Sequence, residues 1–388
     1  MKFIHTADWH LGKLVQGVYM TEDQRYALEQ LVETIEREKP DAVVVAGDLY
    51  DRAIPPTEAV ELLDELFRRI VIGFDTPLLA ISGNHDSPDR LSFGTAIMRA
   101  RGLHLVGQFK SEAAPVVLRD EHGEVHFHLV PYADPAQVRH ALGDEGIRTH
   151  DEAMKAIVER IGSAMDPRAR HVFVGHAFVT PGARPEENTS QSERPLSVGG
   201  AEHVHAEYFA RFHYTALGHL HQAHRVGDDT IRYAGSPLKY SISEEHHRKG
   251  FYIVELDGEG RATVEHRELK PLRDMRRVVG PIEEIERHPV NEDYVFVTLL
   301  NDNPVLFPME KVRAVYPNAL HVERKATVVS ESGGSEAAAG SSGRREADPV
   351  ALFSSFYHEV KGMPLTGDKL KLFAEAYAEA LREEGGTA

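Results

Sequence analysis

The feature that most constrains this chain is repeated five times. A short apolar, β-branched run ends in side chains able to bind a metal ion. The runs are KFIHTA (2–7), DAVVVAG (41–47), PLLAISG (77–83), HVFVGH (171–176) and YTALGH (214–219). Asp8 and His10 follow the first, Asp48 and Asp51 the second, and Asn84, His85 and Asp86 the third. His176 closes the fourth run, and His219 and His221 end the fifth. Such runs read as buried strands. Helically spaced segments, EDQRYALEQLVETIERE (22–38) and PTEAVELLDELFRRI (56–70), separate the first three. This alternation predicts an α/β domain with a parallel sheet. Turns at the carboxyl edge of such a sheet converge on one crevice.

Singly these signals are weak, because an Asp-x-His pair is an ordinary polar strand end and GNHD an ordinary turn. Together they gather imidazoles, carboxylates and a carboxamide at one place. Without a cation, that much buried polar surface would be poorly satisfied, which predicts a two-metal site. The chain has no cysteine, so disulfides and thiolate ligands are excluded. A nitrogen and oxygen ligand set suits Mn²⁺, Fe, Zn²⁺ or Mg²⁺. The formal net charge of −17 argues against a protein that coats nucleic acid non-specifically. Local basic patches and bound cations remain able to hold it. No apolar run approaches membrane-spanning length and the N-terminus lacks signal-peptide features, so a cytoplasmic protein without membrane partners is expected.

Later segments alternate in polarity. EVHFHLVP (124–131) and GFYIVELDGEGRATVEH (250–266), with a turn at Asp257-Gly258, predict added antiparallel strands and hence a layered sandwich. Residues 275–328 read as a small α+β domain after a 1–274 body. The Gly/Ser/Ala-rich stretch within 329–347 reads as a flexible linker with a reach of about 25 Å. In 348–388, Leu352, Phe353, Phe356, Tyr357 and Val360 line one helical face, and Leu370, Phe373, Tyr377 and Leu381 line a second. Two amphipathic helices on a tether are expected to dock into a partner.

The ordered motifs D-x-H, G-D, G-N-H-D, G-H and G-H-x-H resemble those of the calcineurin-like metallophosphoesterases. Their flanks, HTADWHLGK, VVAGDLYDRAIPP, ISGNHDSPDRL and ALGHLHQAHRV, are similar to the SbcD family of nuclease subunits. The resemblance implies an α/β/β/α sandwich with a small α+β cap domain and C-terminal helices. It implies Asp8, His10 and His221 on one metal ion, Asn84, His176 and His219 on another, and Asp48 bridging. Mn²⁺ is the implied ion, with Mg²⁺ compatible. His85 would donate a proton to the leaving oxygen or orient the phosphate. Asp51 stands where archaeal and eukaryotic relatives commonly carry His, so a capping or supporting role is expected; Asp86 reads as a turn residue.

The same resemblance implies a DNA repair and recombination nuclease. It would act as a 3′–5′ exonuclease on duplex ends and an endonuclease on single strands and hairpins. Its partner would be an SbcC-type coiled-coil ATPase that binds the ATP, since this chain has no Walker motif. Leu352, Phe353, Phe356, Tyr357, Leu370 and Phe373 are the candidate partner contacts. Helices near 57–70 and 91–101 would form a homodimer. Arg267, Lys270, Arg273, Arg276 and Arg277 are candidates for DNA contact. Two other readings share these motifs: a phosphoesterase for small molecules or phosphoproteins, and a DNA-end-tethering scaffold with secondary cleavage. The C-terminal third argues against the first, and the full ligand set against the second. His126, His128, His203, His205, His246 and His247 read as surface histidines, and His224 as a neighbour outside the motif. Trp9 is expected to pack beneath the first loop, with base stacking as the alternative.

Overall fold

Ala42–Ala46 is buried at every position, as is Leu78–Ile81, the pattern of strands covered on both faces. The coordinates are a computed structural model describing residues 1–182, 189–193, 203–325, 353, 354, 357 and 366–384. Lys2–Thr6, Ala42–Ala46, Leu78–Ile81 and Leu103–Val106 run parallel in one sheet. Gly250–Leu256 and Ala262–Glu268 extend it antiparallel, joined through the expected turn after Asp257. A second sheet pairs Gly123–Val130, Arg170–His176, Tyr214–Gly218 and Asp228–Tyr233 in parallel. Val116–Asp120 and His224–Val226 close its two edges antiparallel. The expected antiparallel character of 124–131 therefore holds for one neighbour and not for the other.

The two sheets face each other across Phe3, Val44, Leu79, Phe127, Val174 and Tyr214. The helix Thr21–Glu38 covers the outside of the first sheet with Leu28, Leu31 and Ile35, and Thr57–Arg68 adds Leu62 and Leu66. The helix His150–Ala164 covers the second sheet through Met154, Ile157 and Val158. It begins with a capping box in which Thr149 and Glu152 satisfy each other's backbone amides. The result is a four-layered α/β/β/α sandwich.

A three-stranded parallel sheet, Met275–Gly280, Tyr294–Leu299 and His321–Arg324, has its own core of Val278, Val295, Val297, Val312 and Tyr316. Its other face packs Met275 and Tyr294 on Val15 and Met20 of the body. Arg273 and the Tyr294 hydroxyl both bond the buried Asp23, at 2.9 and 2.8 Å. The compact unit that contains both sheets and this domain runs from Met1 to Thr327.

A second unit spans Val328–Ala388. Its helix Gly367–Glu384 carries Leu370, Phe373 and Tyr377, and the Phe353 ring stacks on Phe373 with centroids 3.9 Å apart. Leu352, Phe356 and the linker lie outside the described residues.

Candidate metal centre

The five polar strand ends meet at one edge of the sandwich. The first two loops are stitched by their backbones: Asp8 N donates to Gly47 O at 3.0 Å, and His10 N to Asp48 O at 2.9 Å. The Asp8 carboxylate accepts the His219 amide at 2.9 Å, which ties the first loop to the fifth. Asp48 Oδ1 accepts the His85 amide at 2.9 Å, which ties the second to the third. Gly47 and Gly83 are required here. A Cβ at Gly47 (φ +92°) would meet His176 Nδ1 at 2.3 Å, and one at Gly83 would meet Asp48 Oδ1 at 2.1 Å. Four candidate ligands carry left-handed backbone: Asp8 (φ 53°), His10 (46°), Asp48 (51°) and His219 (106°). Each such residue stores about 1–3 kcal/mol of strain, a pattern that clusters at functional sites.

Asp8, His10 and His221 bring ligand atoms within 4.8 Å of one another, as do Asp8, Asp48 and His176, and His10, Asp51 and His85. Asp8, His10 and His221 are essentially buried. The donors fit a cation, because lone pairs face lone pairs. His176 Nδ1 donates to Ala46 O at 2.9 Å, so in the neutral ring that a cation requires, Nε2 turns a lone pair to Asn84 Oδ1, 2.9 Å away, and to Asp48 Oδ2 at 3.4 Å. The Nε2 atoms of His10 and His221 lie 3.0 Å apart. His10 Nδ1 and Asn84 Nδ2 are buried without a hydrogen-bond partner. Burial pushes Asp8 up to about 7. Burial opposes protonation of His176, yet Asp48 and Asp8 raise it to about 9. Burial holds His10 and His219 well below the ordinary imidazole range. A buried group so divided is balanced by protons or by a cation.

His85 donates from Nδ1 to the Asp51 carbonyl at 2.8 Å, and its ring meets that of His10 edge-on at 4.6 Å. The Asp51 carboxylate pairs with Lys13 at 2.8 Å and lies 3.7 Å from His10 Nδ1. Asp86 does more than a turn residue: its carboxylate accepts the amides of Gly83, Leu49 and Tyr50 at 2.9–3.1 Å, fixing the third loop against the second. Trp9 is fully buried against Phe67, with Nε1 donating to Thr6, so it is not available to stack on a base.

Two supporting sets were not legible. Gln24, buried in the first helix, donates to His10 O at 2.7 Å and accepts from Gly12 N, fastening the first loop. The one clue is a polar residue on the helix's apolar face. His221 is held by Ser192, Glu193, Glu244 and Lys249, for which the sequence offers no signal.

Several remote side chains sit where the sequence did not put them. His128 is buried and bonds His171 at 3.0 Å, so it is not a surface histidine; its strand position faces the second layer. The arginines of the basic stretch face carboxylates: Arg267 to Glu265, Arg273 to Glu22 and Asp23, Arg276 to Asp293, and Arg277 to Glu245. Lys270 has no carboxylate within 4 Å among the described residues.

Comparisons with known proteins identify the family. The profile described as calcineurin-like phosphoesterase matches residues 1–223, and one described as type 5 capsule protein repressor C-terminal domain matches 271–361. The D subunit of nuclease SbcCD from Staphylococcus epidermidis is 36% identical over 324 residues, covering 82% of this chain and 84% of that one. Solved structures are more distant. A dimetal phosphatase from Danio rerio aligns at TM-score 0.38 and 13% identity, covering 69% of this chain and 96% of its own. GAP50, described as the anchor in the inner membrane complex of Plasmodium, aligns at 0.39 and 11%, covering 71% and 90%. The chain belongs to the calcineurin-like phosphoesterases, within the SbcD family of nuclease subunits, and is a metal-dependent phosphodiesterase of nuclease type.

Proposed function

We propose that the chain is a two-metal DNA nuclease of repair and recombination, cutting duplex ends as a 3′–5′ exonuclease and single strands and hairpins as an endonuclease. The convergence of seven inward-facing donors on one buried edge carries this reading. Asp8, His10 and His221 would hold one ion and Asn84, His176 and His219 the other, with Asp48 between them; Mn²⁺ suits the mixed set, and Mg²⁺ is compatible. When bound, such a pair of ions supplies Lewis acidity for a phosphoryl oxygen and an acidified water nucleophile.

The chain's own residues supply the rest. His85 has its Nδ1 proton held by a carbonyl, which can only accept, so Nε2 is the nitrogen that exchanges a proton with the leaving 3′ oxygen. Asp51 fixes that ring through its carbonyl and Lys13 through its carboxylate. Asp86 keeps the His85 turn against the Asp48 turn. Among the basic residues of the 261–279 stretch, Lys270 is the one left to meet a phosphate; Arg273 and Arg277 join cap and body through Glu22, Asp23 and Glu245, while Arg267 and Arg276 are paired within the body and the cap.

The partners follow from exposed apolar surface. Val60, Ile72, Phe93 and Ile97 are exposed around a groove floored by Leu63 and Phe67. Patches of this kind mark interaction sites, and this one fits a homodimer through the segments near 57–70 and 91–101. Leu370 and Tyr377 are exposed on the helix of the second unit, which supports docking on an SbcC-type ATPase that would confer ATP dependence. No helix among the described residues is long and apolar enough to cross a membrane; the proposed cytoplasmic location rests on the likeness to the SbcCD subunit.

The test is Mn²⁺-dependent cleavage of hairpin and single-stranded DNA by the intact chain and by one ending near residue 329. We expect both to cut, and only the intact chain to retain an SbcC-type partner. An inert truncated chain that still holds its metal would overturn the autonomous nuclease, and its continued capture of the partner would overturn the docking role.

A further inference from the structure

His221 is restrained at every polar atom. Its amide donates to Glu193 Oε1 at 2.7 Å, and its carbonyl accepts from Lys249 Nζ at 2.8 Å. Its Nε2 lies 3.0 Å from His10 Nε2, and its Nδ1 lies 2.8 Å from Ser192 Oγ and 3.1 Å from Glu244 Oε1. These partners come from separate parts of the chain. Glu244 ends a short 3₁₀ turn, Ile242–Glu244; Lys249 precedes the strand Gly250–Leu256; Ser192 and Glu193 lie between the strands Phe178–Thr180 and His203–His205.

A proton count decides the tautomer. Glu244 is wholly inaccessible to solvent, and its Oε2 lies 2.5 Å from the buried ammonium of Lys249 and accepts the Tyr240 amide. A carboxylate so matched is ionised and can only accept. Ser192 Oγ is in hydrogen-bond contact with Glu244 Oε1 and lies 2.9 Å from Ser190 Oγ, which itself donates to that carboxylate oxygen at 3.1 Å. Facing the anion, Ser192 gives its one hydroxyl proton to the carboxylate and can only accept from the ring. Nδ1 of His221 therefore faces acceptors and carries the proton, and Nε2 turns its lone pair toward Asp8 and His10.

We infer that Glu244, held by Lys249 and Ser192, is a positioning residue that fixes His221 as the Nδ1–H tautomer and so presents Nε2 to a metal ion. The inference rests on the reading of His221 as a ligand. A partner on the far nitrogen of a ligating imidazole orients the ring and raises its basicity, and loss of such a partner lowers metal affinity about 10–100-fold. The competing account is a buried ion pair that joins a turn to a strand and does nothing for the ring.

The test uses the full ¹⁵N-labelled chain. Long-range proton–nitrogen correlation of the metal-free protein reads the His221 tautomer, and calorimetry reads Mn²⁺ affinity. Wild type should show Nδ1–H; an Nε2–H ring there overturns the inference without any variant. Removing one charge alone would strand the other in the interior, so the variant is the uncharged pair Glu244→Leu/Lys249→Met, with circular dichroism to verify folding. It should show mixed tautomers and bind Mn²⁺ about 10–100-fold more weakly. Glu244→Gln/Lys249→Met, which keeps an acceptor oxygen, should recover much of that loss. A folded Leu/Met variant with wild-type tautomer and affinity leaves only the ion-pair account. If wild type shows Nδ1–H yet binds no Mn²⁺, the ligand reading of His221 fails while the positioning of its ring stands.

Discussion

Two histidine clusters in this chain make opposite use of the same side chain. At the sheet edge, His10, His85, His176, His219 and His221 surround Asp8 and Asp48, four of the seven (Asp8, His10, Asp48 and His219) on left-handed backbone, with buried atoms left unpaired. On the second sheet, His126, His128 and His171 on ordinary strand backbone are in contact with one another and with His213, just before the strand Tyr214–Gly218. There His171 Nε2 donates to Asp166 O at 2.9 Å, so its Nδ1 accepts from His128 Nε2 at 3.0 Å. His213 Nδ1 accepts the His171 amide at 2.8 Å, and His126 meets Glu124. Imidazole density is similar in both places. What distinguishes the first is buried carboxylates shared among imidazoles and nitrogens whose lone pairs have no proton to meet.

The largest expected break in that contrast is Asp48→Ala. Asp48 faces both His10 and His176, at 3.5 and 3.4 Å, so its loss should disable both candidate ion sites together. DNA cleavage should fall by several kcal/mol of transition-state stabilisation, roughly 10³–10⁵-fold. His128→Gln, measured beside it, should stay within about threefold of wild type while lowering stability by about 1–3 kcal/mol. Comparable activity losses in the two variants would erase the distinction between the clusters.

His85→Gln sharpens the contrast inside the metal centre itself. Its amide, not its ring, bonds Asp48, and its ring is anchored on a carbonyl. Metal affinity by calorimetry should therefore persist, while turnover drops roughly 10²–10⁴-fold. Lost metal binding would make His85 a ligand.

Chelation should separate the clusters thermodynamically. Mn²⁺ at a hundredfold excess over its dissociation constant stabilises a folded site by about 2.7 kcal/mol, so a chelator should lower the unfolding midpoint of wild type. Asp48→Ala should show no such shift, and His128→Gln should keep all of it.

The same contrast explains what the sequence disclosed. The edge cluster was legible because every candidate ligand lies at a strand end, four of them (Asp48, Asn84, His176 and His219) directly after a glycine, so local motif and chain topology point to one place. The four layers were legible for a related reason, since strands and helices alternate with distinct periods. The second cluster was misread because His128 lies at an alternating position of a strand whose second neighbour could not be foreseen; a covered outer face turned a supposed surface histidine into a buried one. Glu244, Lys249, Ser192 and Gln24 depend on contacts between residues far apart in the chain, 52 positions for Ser192 with Glu244 and 216 for Gln24 with Tyr240, and no local pattern announces them. The basic stretch was legible as charge but not as pairing, because Glu22, Asp23, Glu245 and Asp293 approach it only in the folded chain.

The smallest predicted effect is one of pH, and its sign follows from burial. Desolvation lowers His128 to about 3, with His171 and His126 adding repulsion, and desolvation lowers His5 to about 3 as well. A group whose folded pKa lies below its unfolded value of 6.5 favours folding fully above about 6.5, and that contribution is lost as pH falls toward 3. Each group costs up to about 1.4 kcal/mol per pH unit in that window, or about 2 kcal/mol between pH 6.5 and 5. His176 carries the opposite sign in the metal-free protein: its pKa, raised to about 9, contributes fully below 6.5 and is lost as pH rises through 9. Denaturant unfolding of metal-free protein at several pH values should thus show an acid limb that His128→Gln makes shallower by one group's share, up to about 1.4 kcal/mol per pH unit, leaving the parts due to other lowered imidazoles, among them His5, His10, His219 and His247. An unchanged acid slope in that variant would mean that the second cluster already takes up its proton in the fold, and the two clusters would differ in their carboxylates alone.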